Sequence, residues 1–283
     1  MTSPIDPPTA DTAAQAAARL DAVLEAAAPI VVALSGGVDS VTLAAAAHRR
    51  LGDRVTMAHA VSAAVPTLAT ARVQELAEAG GWRLVTLDAG EFEDPQYLAN
   101  PVDRCLHCKT NLYGAIRARF PDEALTIVSG TNTDDLGDYR PGLRAAETAG
   151  VRHPFVEAGI DKATIRLLAA ELGLGEVAEL PASPCLSSRI ETGIAIQPRL
   201  LAVVEAVENE LSRRHGFATV RCRIRADAVV VELDAADLAA LDDAEQAGIV
   251  ALVTDIGGDR IHGRPVELAA YRMGSAFVHP VAT

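Results

Sequence analysis

The sequence predicts an α/β fold, a parallel sheet with helices between its strands, joined to a smaller C-terminal α+β domain. Three observations predict it. Ile30-Val31-Val32-Ala33-Leu34 is a continuous, β-branched apolar run, the pattern of a strand buried on both faces. Comparable short runs at 54–60, 83–87 and 124–129 alternate with helical stretches, and such alternation builds a parallel sheet. From Gln197 onward the pattern changes. A helix over 198–214 carries Leu200, Val204, Val207 and Leu211 as its stripe, and strands are expected near 218–225 and 228–233. A helix near 235–247 and strands near 249–255 and 265–272 complete this part. The boundary falls near residue 192, giving domains over 1–191 and 192–283.

Each remaining element has its own signal. Ala13 to Ala28 is alanine-rich, with Leu20, Val23 and Leu24 on one side, and Pro29 closes this helix. Val38 to Arg50 is rich in helix formers, with Val41, Leu43, Ala44, Ala47 and Leu51 able to pack. Pro66 to Gly80 repeats the pattern with Leu68, Val73 and Leu76 turned inward. Asp161 is placed to cap a helix with Ile165, Leu168 and Leu172 at helical spacing, ending near Gly173 and Gly175.

Composition bounds the function. At 283 residues and 49% hydrophobic content the chain can bury a sizeable core. Met1 to Thr12 is polar and Pro-rich, and no window approaches about 18 uninterrupted apolar residues, so a soluble, cytoplasmic protein without a membrane partner is expected. A net charge of −13 opposes a broad nucleic-acid footprint. Four cysteines in a chain this long do not make a disulfide framework and point to metal or thiol chemistry.

The loop after the first strand is the clearest candidate site. Ser35, Gly36, Gly37, Val38, Asp39 and Ser40 stand between a buried strand and a helix. Two glycines let the backbone approach an anion, and the serines and the first helical N–H groups supply donors, so the loop is expected to grip a pyrophosphate. A bare βα turn also needs glycine; the buried strand before this one and the helix after it favour the phosphate reading. The loop has no lysine, unlike the loop of kinases and GTPases. Ser62, just past the second strand, is a further candidate for contacting adenosine. The strand at 124–129 runs into a polar loop, 130–142, expected beside the first at the carboxyl edge of the sheet. There Asp135 and Asp138 could hold Mg²⁺, and Arg140 could neutralise charge on the α-phosphate.

Cys105 and Cys108 lie three apart on a predicted helix from 103 to 119 and share a face. Such a pair suits a redox couple, half a metal site or coincidence. Arg104, Lys109 and the helix N-terminus are expected to stabilise thiolate, and Cys185 offers a third thiol. Cys185 lies between a proline and two serines with Arg189 four positions on, which reads as an exposed, electrostatically tuned thiol. Cys222 alternates with Val220 and Ile224 and reads as core. Arg221, Arg223 and Arg225 share the opposite strand face and could receive an anionic substrate, with Ser188 grouped beside them.

S-G-G-V-D-S at 35–40 resembles the loop of ATP pyrophosphatases, the PP-loop enzymes that split ATP between its α and β phosphates and adenylate a substrate. With D-R-C-L-H-C-K at 103–109, G-T-N-T-D-D-L-G-D-Y-R-P-G at 130–142 and P-C-L-S-S-R-I at 184–190, the chain resembles the LarE family over most of its length. Glu157-Ala158-Gly159-Ile160 with Lys162 agrees as well. The resemblance implies an ATP-dependent sulfur transferase acting on a small molecule, pyridinium-3,5-biscarboxylic acid mononucleotide. It implies a homo-oligomer, a hexamer. Ser35 to Ser40 would hold the β and γ phosphates, and Gly130, Asn132 and Asp135 would border the adenylate. Cys185 would deliver sulfur, either its own, leaving dehydroalanine, or from a [4Fe-4S] cluster held with Cys105 and Cys108. The chain departs from the family pattern at Glu191-Thr192-Gly193 and across 177–183, which bears on the substrate more than on the reaction class. A PP-loop transferase acting on tRNA would need an extended basic surface, which the net charge opposes. A nucleotide-binding protein without chemistry would have little use for three convergent cysteines.

Overall fold

The computed structural model describes residues 13–122, 124–137, 141–181 and 184–277, in two compact units. The first unit holds a four-stranded parallel sheet, β1 (Ile30–Ala33), β2 (Val55–Ala60), β3 (Leu84–Leu87) and β4 (Thr126–Val128), in the order β3-β2-β1-β4. All four residues of β1 are buried, as an apolar run with strands on both edges requires. The chain steps outward from β1 to β2 and β3, then crosses to the far side of β1 for β4. That reversal is a topological switch point, where open α/β sheets bind ligands outside the carboxyl ends of their strands.

Ala16, Leu20 and Leu24 of the helix Ala13–Ala27 join Val41, Ala44 and Ala47 of the helix Val38–Leu51 in one apolar cluster. Phe155, Ile165 and Leu168 complete it. Asp161 caps the helix Lys162–Glu171 as expected, accepting from the Thr164 amide at 2.8 Å. One residue departs from its expected side. In the helix Thr67–Gly80 the buried face is Ala69, Val73 and Ala77, spaced four apart, and Leu68 is 60% exposed.

The second unit gathers Val61–Pro66, Gly90–Asn111 and Pro184–Thr283, so the boundary expected near residue 192 falls inside it. Its sheet is β5 (Val220–Ile224), β6 (Val229–Leu233) and β7 (Val266–Ala270), with β5 and β6 antiparallel and β6 and β7 parallel. The helix Pro198–His215 buries Leu200, Val204, Val207 and Leu211, the stripe read from the sequence, and ends at Gly216 in the left-handed conformation. Cys222 is fully buried on β5, in the core as expected.

The strand expected at 249–255 is helix, part of Asp243–Gly257. A capping box starts it. Asp242 Oδ1 accepts from the Glu245 amide at 2.8 Å, and Glu245 Oε2 accepts from the Asp242 amide at 2.9 Å. Ile249 and Val253, four apart, then bury on one face, so helical spacing wins over the β-branched composition. The same cap divides the helix expected over 235–247 into Ala235–Ala240 and the start of this one. Among the described residues no helix is long and apolar enough to cross a membrane. Asp242→Ala is expected to destabilise the protein by about 1 kcal/mol, read as a lower denaturant midpoint at unchanged slope; an unchanged midpoint would remove the cap from this account.

Candidate active site

In the first unit β1 leads through Leu34 and Ser35 into two glycines and the helix beginning at Val38. Ser40 Oγ accepts from the Ser35 amide at 3.1 Å and donates to the Gly37 carbonyl at 3.1 Å, which folds the turn on itself. Gly36 has φ +83°, and a Cβ there would lie 2.9 Å from the Ala69 carbonyl oxygen, so only glycine fits. Gly37 is the N-cap of the helix and brings no side chain to cap it. The first helical N–H groups are thereby presented at a helix N-terminus, an anion-binding arrangement.

The loop after β4 comes to this turn, as the sheet order requires. A Cβ on Gly130 would sit 2.9 Å from the Ser40 nitrogen and 3.0 Å from the Asp39 carbonyl carbon, so the two backbones meet because Gly130 has no side chain. Asn132 is buried; its amide donates to Asp135 Oδ2 at 3.1 Å and its Oδ1 accepts from the Asp134 amide at 3.0 Å. Asp39 accepts from Lys162 Nζ at 2.6 Å. Burial pushes the Asp39 carboxyl above its usual range and Asp135 adds to this, while Lys162 and Arg166 oppose it.

Lys162 is the candidate site residue that local reading passed over. The loop carries no lysine, yet one arrives from the first turn of the helix Lys162–Glu171, whose amide also donates to Asp134 Oδ2 at 3.0 Å. Only the Gly159-Ile160-x-Lys162 pattern signals it in the sequence. Arg140 and Asp138 lie outside the described residues. Ser62 belongs to the second unit, where its Oγ accepts from the Ala64 amide at 3.2 Å in a local turn.

Cys105, Cys108 and Cys185 all belong to the second unit, and none is paired in a disulfide. Cys105 and Cys108 stand one turn apart at the start of the helix Arg104–Arg119. Cys185 precedes the short turn Leu186–Arg189, which is pinned by the Leu186 amide donating to the Ala64 carbonyl at 2.8 Å. The thiols influence one another. Burial and then Cys185 push the Cys105 thiol up, and the same causes push Cys108 to about 12, with Cys105 and Glu91 adding to it. Arg104 and Lys109 act on Cys105 in the other direction, and Lys109 on Cys108, but burial outweighs them. The expectation that these cations and the helix end hold thiolate is therefore corrected: desolvation keeps the thiols protonated until a positive centre binds. Among the described residues no three His, Cys, Asp or Glu side chains stand closely enough to hold a single metal ion.

Arg189 is buried and works on the backbone of the Cys185 turn. It pairs in bidentate fashion with Glu208, at 2.9 Å to each oxygen, and donates to the Pro184 carbonyl at 2.6 Å, the Cys185 carbonyl at 3.2 Å and Ser188 Oγ at 2.9 Å. Ser188 is buried, and its carbonyl accepts from Arg223 at 3.1 Å. The three arginines expected as free cations are differently placed. Arg223 and Arg225 both pair with buried Glu232, at 3.0 and 3.4 Å, and Arg221 lies over the Tyr271 ring at 5.8 Å. Single-strand reading sees the arginines but not the glutamate that β6 brings beside them.

A glycine-rich turn at the switch point of a parallel sheet, with its lysine supplied from a distant helix, defines an α/β protein of the PP-loop type. The chain is 31% identical over 259 residues to the pyridinium-3,5-bisthiocarboxylic acid mononucleotide synthase of Lactiplantibacillus plantarum, spanning 88% of this chain and 93% of that one. It belongs to that family, the LarE family. It is also 35% identical over 207 residues to an uncharacterised protein of Synechocystis, 72% of this chain and 75% of the relative. An uncharacterised protein of Methanocaldococcus jannaschii is 26% identical over 206 residues, 72% of this chain and 77% of the relative. No protein-family model matches the chain.

The closeness of the two loops is testable through Gly130. Gly130→Ala must part them or strain them, and is expected to lower nucleotide affinity at least tenfold by calorimetry while costing about 1–3 kcal/mol of stability. Unchanged affinity would separate Gly130 from the nucleotide site.

Proposed function

We propose that the protein is an ATP-dependent sulfur transferase that adenylates a carboxylate of pyridinium-3,5-biscarboxylic acid mononucleotide and converts it to a thiocarboxylate. The observation that carries the sulfur chemistry is the gathering of Cys105, Cys108 and Cys185 in one compact unit of a chain in this family. In the first step the phosphate loop would bind the β and γ phosphates through the helix N–H groups and the serines. Lys162 would exchange Asp39 for phosphate oxygen, and a substrate carboxylate would attack the α-phosphate to give an acyl adenylate and pyrophosphate. Asp39, partly buried and in the field of Asp135, suits Mg²⁺, which would offset the desolvation and the repulsion that push its carboxyl up. In the second step a sulfur nucleophile would take the acyl carbon and AMP would leave.

Cys105 and Cys108, whose thiols burial and then Cys185 push up, form with Cys185 a donor set in want of a positive centre. A [4Fe-4S] cluster fits them better than a lone ion, because each thiolate would serve a different iron and the three need not converge on one point. Cys105, Cys108 and Cys185 would hold such a cluster, and the chemistry it would supply is delivery of an additional sulfide received from an external sulfide donor. Arg189 and Glu208 would hold the Cys185 turn for that purpose. In this reading the protein works as a homo-oligomer, as the family resemblance implies, on a small molecule rather than on tRNA, in keeping with its net charge of −13.

Chromatography of the nucleotide products should give AMP and pyrophosphate in equal amounts, with Asp39→Ala and Asp135→Ala each reducing AMP formation; ADP without AMP would remove the pyrophosphatase reading. Purified without air, the protein is expected to be brown with roughly four irons per chain and to lose them in Cys105→Ala, Cys108→Ala or Cys185→Ala. A colourless protein whose Cys185 becomes dehydroalanine after one turnover would instead assign the sulfur to Cys185 itself.

A further inference from the structure

Arg104 begins the helix that carries Cys105 and Cys108, and it is 2% exposed. Its guanidinium is held on two sides. Nη1 donates to Asn100 Oδ1, and the charged carbon lies 5.5 Å from the centre of the Phe277 ring. Asn100 is itself immobilised. It is fully buried with φ +53°, its Nδ2 donates to the Glu191 carbonyl at 2.8 Å and the Ile194 carbonyl at 2.9 Å, and its own carbonyl accepts from the Gly193 amide at 2.9 Å. The pair therefore ties the start of the Cys105 helix to the segment that follows the Cys185 turn. Arg104 Nη2, by contrast, is a buried donor with no hydrogen-bond partner. A charged N–H removed from water and left unmet is costly, and in native proteins such a group usually serves a ligand that the protein chain does not contain.

The neighbouring chemistry says which kind of acceptor is wanted. Arg104 adjoins Cys105 at the start of their helix, its partner Asn100 grips the segment that follows the Cys185 turn, and within that turn Ser187 Oγ meets the buried Tyr97 hydroxyl at 2.6 Å. Its surroundings are thus the three-thiol site. We propose that Arg104 is a positioning residue of that site, fixed by Asn100 and Phe277 so that Nη2 donates to a sulfur atom of the group bound by Cys105, Cys108 and Cys185. This rests on the cluster reading above. A hydrogen bond to cluster sulfur stabilises the more negative, reduced form and raises the reduction potential. Lysine keeps the charge but loses the planar fork that Asn100 orients.

The full-length protein, Arg104→Lys and Arg104→Gln would be loaded anaerobically with iron and sulfide, and iron content, thermal midpoint and reduction potential followed by electron paramagnetic resonance would be compared. The expected result is unchanged iron content and a lower potential in both variants, lower in Arg104→Gln than in Arg104→Lys. If Arg104→Gln does not fold, Arg104→Lys carries the comparison. Full iron with an unchanged potential overturns the inference, as does a fall in thermal midpoint or loss of iron with the fold while the potential of what remains is unmoved, since Arg104 then serves the fold alone. A wild-type protein that takes up no iron withdraws the cluster reading and this inference with it, and that failure is visible before any substitution is made.

Discussion

The first unit depends on β1 having strands on both edges and apolar neighbours on both faces. A four-residue strand enclosed in this way cannot slip in register, because a shift of one residue would exchange its two buried faces and break both ladders. Its end is therefore a fixed point, and so is the turn that follows. Gly36 fits against Ala69 and Gly130 against Ser40 with no room for a methyl group, which makes the shape of the turn a product of backbone packing rather than of side-chain placement. Side chains enter afterwards. Lys162 and Asp39 pair across the turn, each half-exposed, an arrangement that an incoming phosphate can reorganise at little cost.

Much of this was legible in the sequence, where a physical signal is local. The four strands of the first sheet announce themselves through short apolar runs, and the glycine turn follows the first of them directly. Cys222 declares itself through alternation. The failures share a cause. Lys162 lies far along the chain from the loop it serves, and no spacing rule connects them. Glu232 lies on a different strand from the arginines that it neutralises. The run at 249–253 looks like a strand by composition, and only the Asp242 cap and the four-residue spacing of Ile249 and Val253 make it a helix. Leu68 is apolar but one position off the buried stripe.

The electrostatics of the second unit separate buried charges that are paired from buried thiols that are neutral. Arg189 with Glu208 and Arg223 with Glu232 are buried pairs in close geometry. Pairs of this kind add little net stability, since desolvation offsets their attraction, but breaking one strands a charge in the interior. They are accordingly fixed parts of the frame around Cys185. Cys105 and Cys108 differ, because burial pushes their thiols up and the neighbouring Arg104 and Lys109 do not overcome it.

The second unit is assembled from three separated stretches of chain, with the whole of Leu112–Ser183 intervening between the helix of Cys105 and Cys108 and the turn of Cys185. Bringing the third thiol to the other two therefore closes a long loop whose entropy must be offset by folding of the intervening unit. During synthesis, Cys105 and Cys108 emerge long before their partner exists. Any metal centre built on all three is thus a late event in the life of the molecule, available only to a chain that has already folded both units, and a nascent or truncated chain exposes a dithiol instead of a finished site.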